Sequence, residues 1–324
     1  MNTSPIDVAG QRPPDQDVPV PLLGEQAASS GSSRHADQVS EGRETGIGWT
    51  SGSCTVDEVE VAFRRSGGAK APVILLHGLG GDGTTWDAVA RTLTSHADVV
   101  IPDARGHGCS SAPKRGYGYD SHAHDLEGLI QQLRLASPVL VGHSMGGMTA
   151  ALVASRAAAA VSGVVLVDPP FLSPQRQFEI YRSGVAEQHH AWLDLADEEM
   201  LADAVRRHPT RGREIIAAQC AARRRTSPAA FEILATLAPD YRQIVQSISA
   251  PILLVVGDVE PVVDGAVVGE LRRVSPGIRV EEIVGAGHGV PFDQPERLAS
   301  LVAAFLTDLA GPRRRSPRET VAGG

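Results

Sequence analysis

One ten-residue stretch, Val139-Leu140-Val141-Gly142-His143-Ser144-Met145-Gly146-Gly147-Met148, constrains the rest of the chain more than any other. Its apolar, partly β-branched start, opened by Pro138, reads as a strand buried on both faces. After Ser144 the residues turn small and helix-compatible. The turn between them is G-x-S-x-G, with Gly142 and Gly146 flanking Ser144 at two residues' distance. A serine on so tight a strand-to-helix turn needs those glycines, because side chains there would collide. In return its hydroxyl projects free beside a helix N-terminus. The backbone N–H of Met145 then points at developing negative charge. The motif is short, so its meaning depends on the context around it.

That context is a repeated alternation of strand and helix. Val59, Val61 and Phe63 alternate with Glu58, Glu60 and Arg64, as in a half-exposed strand. Val73-Ile74-Leu75-Leu76 is fully apolar and runs into the glycine-rich His77-Gly78-Leu79-Gly80-Gly81-Asp82-Gly83. A helix is expected from Thr84 to about Ser95. The strand Val99-Val100-Ile101 ends at Asp103-Ala104-Arg105-Gly106-His107-Gly108-Cys109-Ser110, and a helix follows over about 120–135. Val164-Val165-Leu166-Val167-Asp168 is another buried strand. Such alternation predicts an α/β fold, a mostly parallel central sheet covered by helices on both faces.

The rhythm breaks after Pro169-Pro170. Residues 171–249 read as polar and helical, with helix-like runs at 177–190, 197–207, 213–225 and 228–237, and are expected to be a helical cap inserted into the sheet order. The rhythm resumes with the strand Ile252-Leu253-Leu254-Val255-Val256, a helix over about 263–274, a last strand at 278–284 and a final helix at about 295–309. The core is therefore expected over 49–170 and 250–310. Residues 1–48, rich in Pro, Ser, Gln and charged side chains, are expected to be a disordered extension, and 311–324 a short basic tail.

Composition narrows the function. At 42% hydrophobic residues the chain can bury a sizeable core, and a formal net charge of −8 leaves no global basic field for nucleic acid. The three cysteines, Cys54, Cys109 and Cys220, have neither metal-site nor disulfide spacing, which fits a reduced, cytoplasmic setting. The first residues lack a basic and then apolar leader pattern. The most apolar window, 150–167, is interrupted by Ser155, Arg156, Ser162 and Gly163, so no membrane span is expected. No cofactor is expected, and the expected partner is a small-molecule substrate.

Reactive groups in such sheets collect at the carboxyl ends of the strands. Four ends qualify here: His77-Gly78, Ser144, Asp258 to Glu260, and His288. Serine, acid and histidine follow one another along the chain, the order of an α/β-hydrolase triad. With His77-Gly78-Leu79-Gly80-Gly81, Asp103-x-Arg105-Gly106-His107-Gly108-x-Ser110, Gly142-His143-Ser144-Met145-Gly146-Gly147 and Gly287-His288, the chain resembles the α/β-hydrolase superfamily, in its capped branch, over about 56–309. Ser144 is the nucleophile candidate. A serine hydroxyl needs an adjacent base, and the imidazole of His288 suits that role near neutral pH. The resemblance implies an acid three residues after the glycine that ends its strand. Counting from Gly257 gives Glu260; Asp258 and Asp168 are alternatives. It also implies an oxyanion hole from the N–H groups of Leu79 and Met145, and a structural role for His107. His77 and His143 adjoin the glycine turns and read as structural or pocket-lining.

A rival pattern overlaps this one. Gly78-Leu79-Gly80-Gly81-Asp82-Gly83 matches G-x-G-x-x-G after a strand, with Asp103 placed as a ribose-binding acid would be. That dinucleotide reading leaves Ser144 and His288 without a role. Arg223, Arg224 and Arg225 read as a solvated helix face, with an acidic substrate as the alternative. Trp86, Phe171, Tyr181 and Trp192 are candidates for pocket wall or core. The resemblance implies a cofactor-free serine hydrolase for an ester, thioester or lactone of a small to medium apolar molecule, working through an acyl-enzyme. Alternatives are the same triad used for carbon–carbon bond hydrolysis, perhydrolysis or a non-hydrolytic step, and a ligand-binding protein without catalysis.

Overall fold

The computed structural model describes residues 40–45, 48–156 and 161–311. Among the described residues nine strands form one sheet: β1 (Ser40–Thr45), β2 (Trp49–Val56), β3 (Val59–Arg65), β4 (Pro72–Leu76), β5 (Asp98–Pro102), β6 (Val139–His143), β7 (Gly163–Val167), β8 (Ile252–Gly257) and β9 (Arg279–Ile283). They lie in the order β1-β2-β3-β5-β4-β6-β7-β8-β9. The first three pair antiparallel with their neighbours, and β5 through β9 are all parallel.

The apolar runs occupy the middle because both faces of the parallel part are covered. Neighbouring residues of one strand serve opposite faces. Ile74, Leu140, Leu166 and Leu254 enter one core cluster with the helices α2 (Tyr119–Gln132), α3 (Met145–Arg156) and α8 (Tyr241–Ser247). Leu75, Val141, Val165 and Val255 enter the other, against α1 (Asp87–Leu93) and α11 (Pro295–Ala310). Each fully buried aliphatic side chain contributes roughly 1.5–3 kcal/mol, so the central strands dominate the stability of the sheet.

Between β7 and β8 the chain leaves the sheet through α4 (Pro174–Arg182), α5 (Val185–Leu193), α6 (Asp197–Arg207), α7 (Arg213–Arg224), a 3-10 helix (Pro228–Ala235) and α8. The expected single helix over 177–190 is two helices, because Gly184 sits in the left-handed region at φ 77° and breaks it. The run expected over 228–237 is a shorter 3-10 helix, Pro228–Ala235. After β8 come α9 (Gly265–Val274), β9, the one-turn α10 (Val290–Asp293) and α11.

The N-terminal expectation is corrected where it can be read. Residues 40–45, placed in a disordered extension, form β1 and pair antiparallel with β2. Neither Ser40–Thr45 nor the Trp49–Val56 strand has the apolar alternation that marks a strand in sequence. The remainder of 1–48 other than Gly48, and the tail from 312 onward, lie outside the described residues. No described helix is long and apolar enough to cross a membrane.

Candidate active site

The sheet order reverses at β4: β5 lies on one side of it and β6 on the other. Loops leaving the carboxyl ends of β4 and β6 therefore diverge and open a crevice between them, where α/β sheets bind ligands. Ser144 stands at that point, between β6 and α3, with φ 50°. The glycines around it are forced by contact. A Cβ on Gly142 would stand 2.1 Å from the Gly146 carbonyl oxygen, and one on Gly146 would stand 2.3 Å from the Leu76 carbonyl oxygen. The Ser144 N–H donates to the Val167 carbonyl at 3.0 Å, which ties the turn to the next strand.

His288, in the loop between β9 and α10, reaches this serine: its Nε2 lies 3.1 Å from Ser144 Oγ. Its Nδ1 lies 2.7 Å from Asp168 Oδ2. Asp168 is fully buried and its carboxylate also accepts the N–H groups of Val262 and Val263, each at 2.9 Å. A carboxylate facing Nδ1 fixes the proton there, so Nε2 is left to accept from the serine hydroxyl. The acid beside His288 is therefore Asp168 and not Glu260, the first choice from spacing. Glu260 is exposed, with φ 48°, on the rim of the same cleft. Asp258 is exposed as well, and its Oδ1 accepts the Gly285 N–H at 2.7 Å. Both follow β8, whereas Asp168 directly follows β7, the neighbour of the strand that leads into Ser144.

Leu79 and Met145 border the serine from two directions. Met145 opens α3, so its N–H has no partner within the helix. Leu79 lies in the loop after β4 and lines the cleft. This loop comes close because Gly78 has no side chain: a Cβ there would be 3.2 Å from the Ser144 Cβ. Two histidines hold the loop in place. The Ala104 N–H donates to His77 Nε2 at 2.9 Å, so His77 carries its proton on Nδ1 and donates to the Gly78 carbonyl at 2.9 Å. The Gly80 N–H donates to His107 Nε2 at 3.2 Å, and His107 Nδ1 donates to the Arg105 carbonyl at 2.9 Å. Asp103 accepts from the Gly83 and Cys109 N–H groups at 2.7 and 2.8 Å. It braces this loop where the dinucleotide reading required a ribose contact. Arg105 is engaged in a buried bidentate pair with Asp125.

A family model described as alpha/beta hydrolase fold matches residues 71–295. The chain belongs to the α/β-hydrolase family. Among curated relatives, N-formylmaleamate deformylase of Pseudomonas putida is 29% identical over 266 residues, covering 79% of this chain and 96% of the relative. The enol-lactonase of Burkholderia xenovorans LB400 superposes with a TM-score of 0.67 at 26% identity, over 79% of this chain and 99% of the lactonase. E-2-(acetamidomethylene)succinate hydrolase shares the fold, with a TM-score of 0.72 at 23% identity over 80% of this chain and 99% of that structure.

Ser144 and His288 line a cleft of about 840 Å³, walled by Leu79, Trp192, Arg211 and Arg223 among others. Of the aromatic candidates only Trp192 faces it: Trp86 and Phe171 are core, each 1% exposed, and Tyr181 is on the outer surface. His143 is buried behind His288, and burial, then the neighbouring His288, lowers its pKa to about 3. Its Nε2 donates to the His288 carbonyl at 2.8 Å and so positions the histidine loop. Sequence reasoning missed Arg211 and Asp293. They pair at 2.6 Å across the cleft wall, and Asp293 also accepts the Gly287 N–H at 3.0 Å. No motif marks either residue. Arg224 and Arg225 are not a free solvated face: they bind Asp197 and Asp82 at 2.7 and 2.6 Å. Among the described residues no group of His, Cys, Asp or Glu is placed to hold a metal ion.

Proposed function

We propose that this α/β-hydrolase cleaves an ester, thioester or lactone of a small to medium-sized molecule through an acyl-enzyme on Ser144. The observation that carries the reading is the hydrogen-bonded series Ser144 Oγ, His288 Nε2, His288 Nδ1, Asp168 Oδ2 at the floor of an open cleft. Ser144 Oγ attacks the substrate carbonyl carbon while His288 Nε2 takes its proton. The oxyanion is met by the N–H groups of Leu79 and Met145, donors of a kind worth about 2.7–4 kcal/mol each in the transition state. The imidazolium, stabilised by Asp168, returns the proton to the leaving oxygen or sulfur. A water then gives a proton to His288 and attacks the acyl carbon; as the bond from that carbon to Oγ breaks, His288 returns the proton to Ser144 Oγ, releasing the acid and restoring the serine.

Intact mass after treatment with a fluorophosphonate tests this. One adduct on the wild type and none on Ser144→Ala is expected. A well-folded wild type that stays unmodified by both a bulky and a small fluorophosphonate overturns the proposal.

A further inference from the structure

Three consecutive arginines, the last two residues of α7 and its C-cap Arg225, have different fates. Arg224 donates to Asp197 and to the carbonyls of Leu193 and Leu195. Arg225 donates to Asp82 at the base of the loop after β4. The Arg223 side chain has no hydrogen bond or ion pair to any described residue, and its Nε is buried without an acceptor. It is nonetheless held in place. Its guanidinium carbon lies 4.9 Å from the Trp192 ring centre and 5.7 Å from that of Phe231, both cation–π distances. Its Nη1 comes within 3.4 Å of where a Cβ on Gly80 would stand, so it rests against the loop that carries Leu79.

Desolvating a guanidinium without a partner is costly, and proteins ordinarily supply a carboxylate. Here the neighbours are committed elsewhere. Of the other cations lining the cleft, Arg207 is bound to Asp203 and Arg211 to Asp293. The carboxylates on the cleft are Asp293, taken by Arg211, and the exposed Glu260. Arg223 is thus the cation in the cleft that lacks a counter-charge among the described residues. A planar fork of N–H donors matches a carboxylate in two-point contact, and one positive charge balances one negative charge.

We propose that Arg223 anchors a carboxylate of the substrate, so that the molecule cleaved at Ser144 is an acyl compound carrying a free acid group. This rests on the hydrolase reading above and replaces the expected wholly apolar substrate by an apolar body with an anionic end. The acid sits against Arg223 while the scissile carbonyl lies between Ser144 and the N–H groups of Leu79 and Met145.

The test compares kcat/KM for the mono-p-nitrophenyl esters of succinate, glutarate and adipate with that for the same esters whose distal acid is methylated. Wild type should favour the free acid at one chain length by at least about tenfold, the least that a charged hydrogen bond gives. Arg223→Met should reduce that ratio at least tenfold, Arg223→Lys should keep part of it, and Arg224→Gln should leave it unchanged. The ratio is internal to each protein and does not depend on the folded fraction. No preference at any chain length, or a preference that survives Arg223→Met, overturns the anchor. Calorimetric titration of the three free dicarboxylates into Ser144→Ala separates the two readings. Binding lost in the Arg223→Met double variant supports the anchor even if no ester is cleaved, and no binding of any of the three overturns it.

Discussion

Asp168 Oδ2 lies 2.7 Å from His288 Nδ1 although the two residues are 120 positions apart, and two backbone N–H groups hold the same carboxylate. An amide in that place cannot stabilise an imidazolium and favours the wrong tautomer. Asp168→Asn should lower kcat for an activated ester by about 10³–10⁴-fold. Glu260→Gln, on the exposed rim, should change it by less than about tenfold. Steady-state kinetics on the two variants checks this, and a reversed pattern would return the acid to the loop after β8.

The turn at Ser144 allows no Cβ at Gly142. An alanine there would meet the Gly146 carbonyl oxygen at 2.1 Å, a backbone contact that cannot swing away. Gly142→Ala should therefore cost at least about 3 kcal/mol, the upper range for overpacking. Urea unfolding should show a lower midpoint with an unchanged slope.

Several buried histidines make the fold sensitive to acid. Burial lowers His122 and His143 to about 3 and His189 to about 4, and holds His107 well below its ordinary value. The unfolded chain binds protons at these sites below about pH 6.5, whereas the folded chain does not. Their stabilising contribution is present above that pH and is lost as pH falls toward the folded values. His122 has an unpartnered Nε2 and is not one of the loop braces, so it can be replaced. His122→Leu should reduce the dependence of unfolding free energy on pH by about 1.4 kcal/mol per unit between pH 4 and 6, one proton's worth. Urea titrations at four pH values measure it.

The ion pair between Arg225 and Asp82 joins the inserted helices to the loop after β4 at 2.6 Å, with Asp82 only 2% exposed. Asp82 keeps its Thr84 partners when the arginine is removed. A double-mutant cycle with Arg225→Gln and Asp82→Asn should give a coupling of about 1–3 kcal/mol, in the range of contacting charged groups. A coupling near zero would mean that the insertion is fastened elsewhere.

Much of this was legible in the sequence because the parallel strands are continuous apolar runs and the elbow around Ser144 is glycine-bound by necessity. Helices such as Asp197–Arg207 carry their own periodicity and were read with the bounds they have. The polar strands at Ser40–Thr45 and Trp49–Val56 were not, since hydrogen bonding to a neighbour leaves no apolar pattern in their residues. Ser144 and His288 were named from order along the chain. Asp168 was named too, as an aspartate directly after an apolar strand, but spacing after Gly257 favoured Glu260. What decides between them is which carboxylate meets the N–H groups of Val262 and Val263, donors that every residue except proline carries and that leave no mark on the sequence. The isolation of Arg223 was equally invisible, because it is defined by what its neighbours are bound to.

The inserted helices leave the sheet just after Asp168 and return at Ile252, in adjacent parallel strands, and the Asp168 carboxylate is itself bonded to the loop that follows the return strand. Both ends of the excursion are thereby stapled at one carboxylate. The segment between is tied back at two further points, Arg225 to Asp82 and Arg211 to Asp293, and its last helix, Tyr241–Ser247, packs into the core beside α2 and α3. A change in these helices is therefore felt at Asp82 and Asp293 as well as at the sheet, so the excursion and the cleft it overhangs form one mechanical unit.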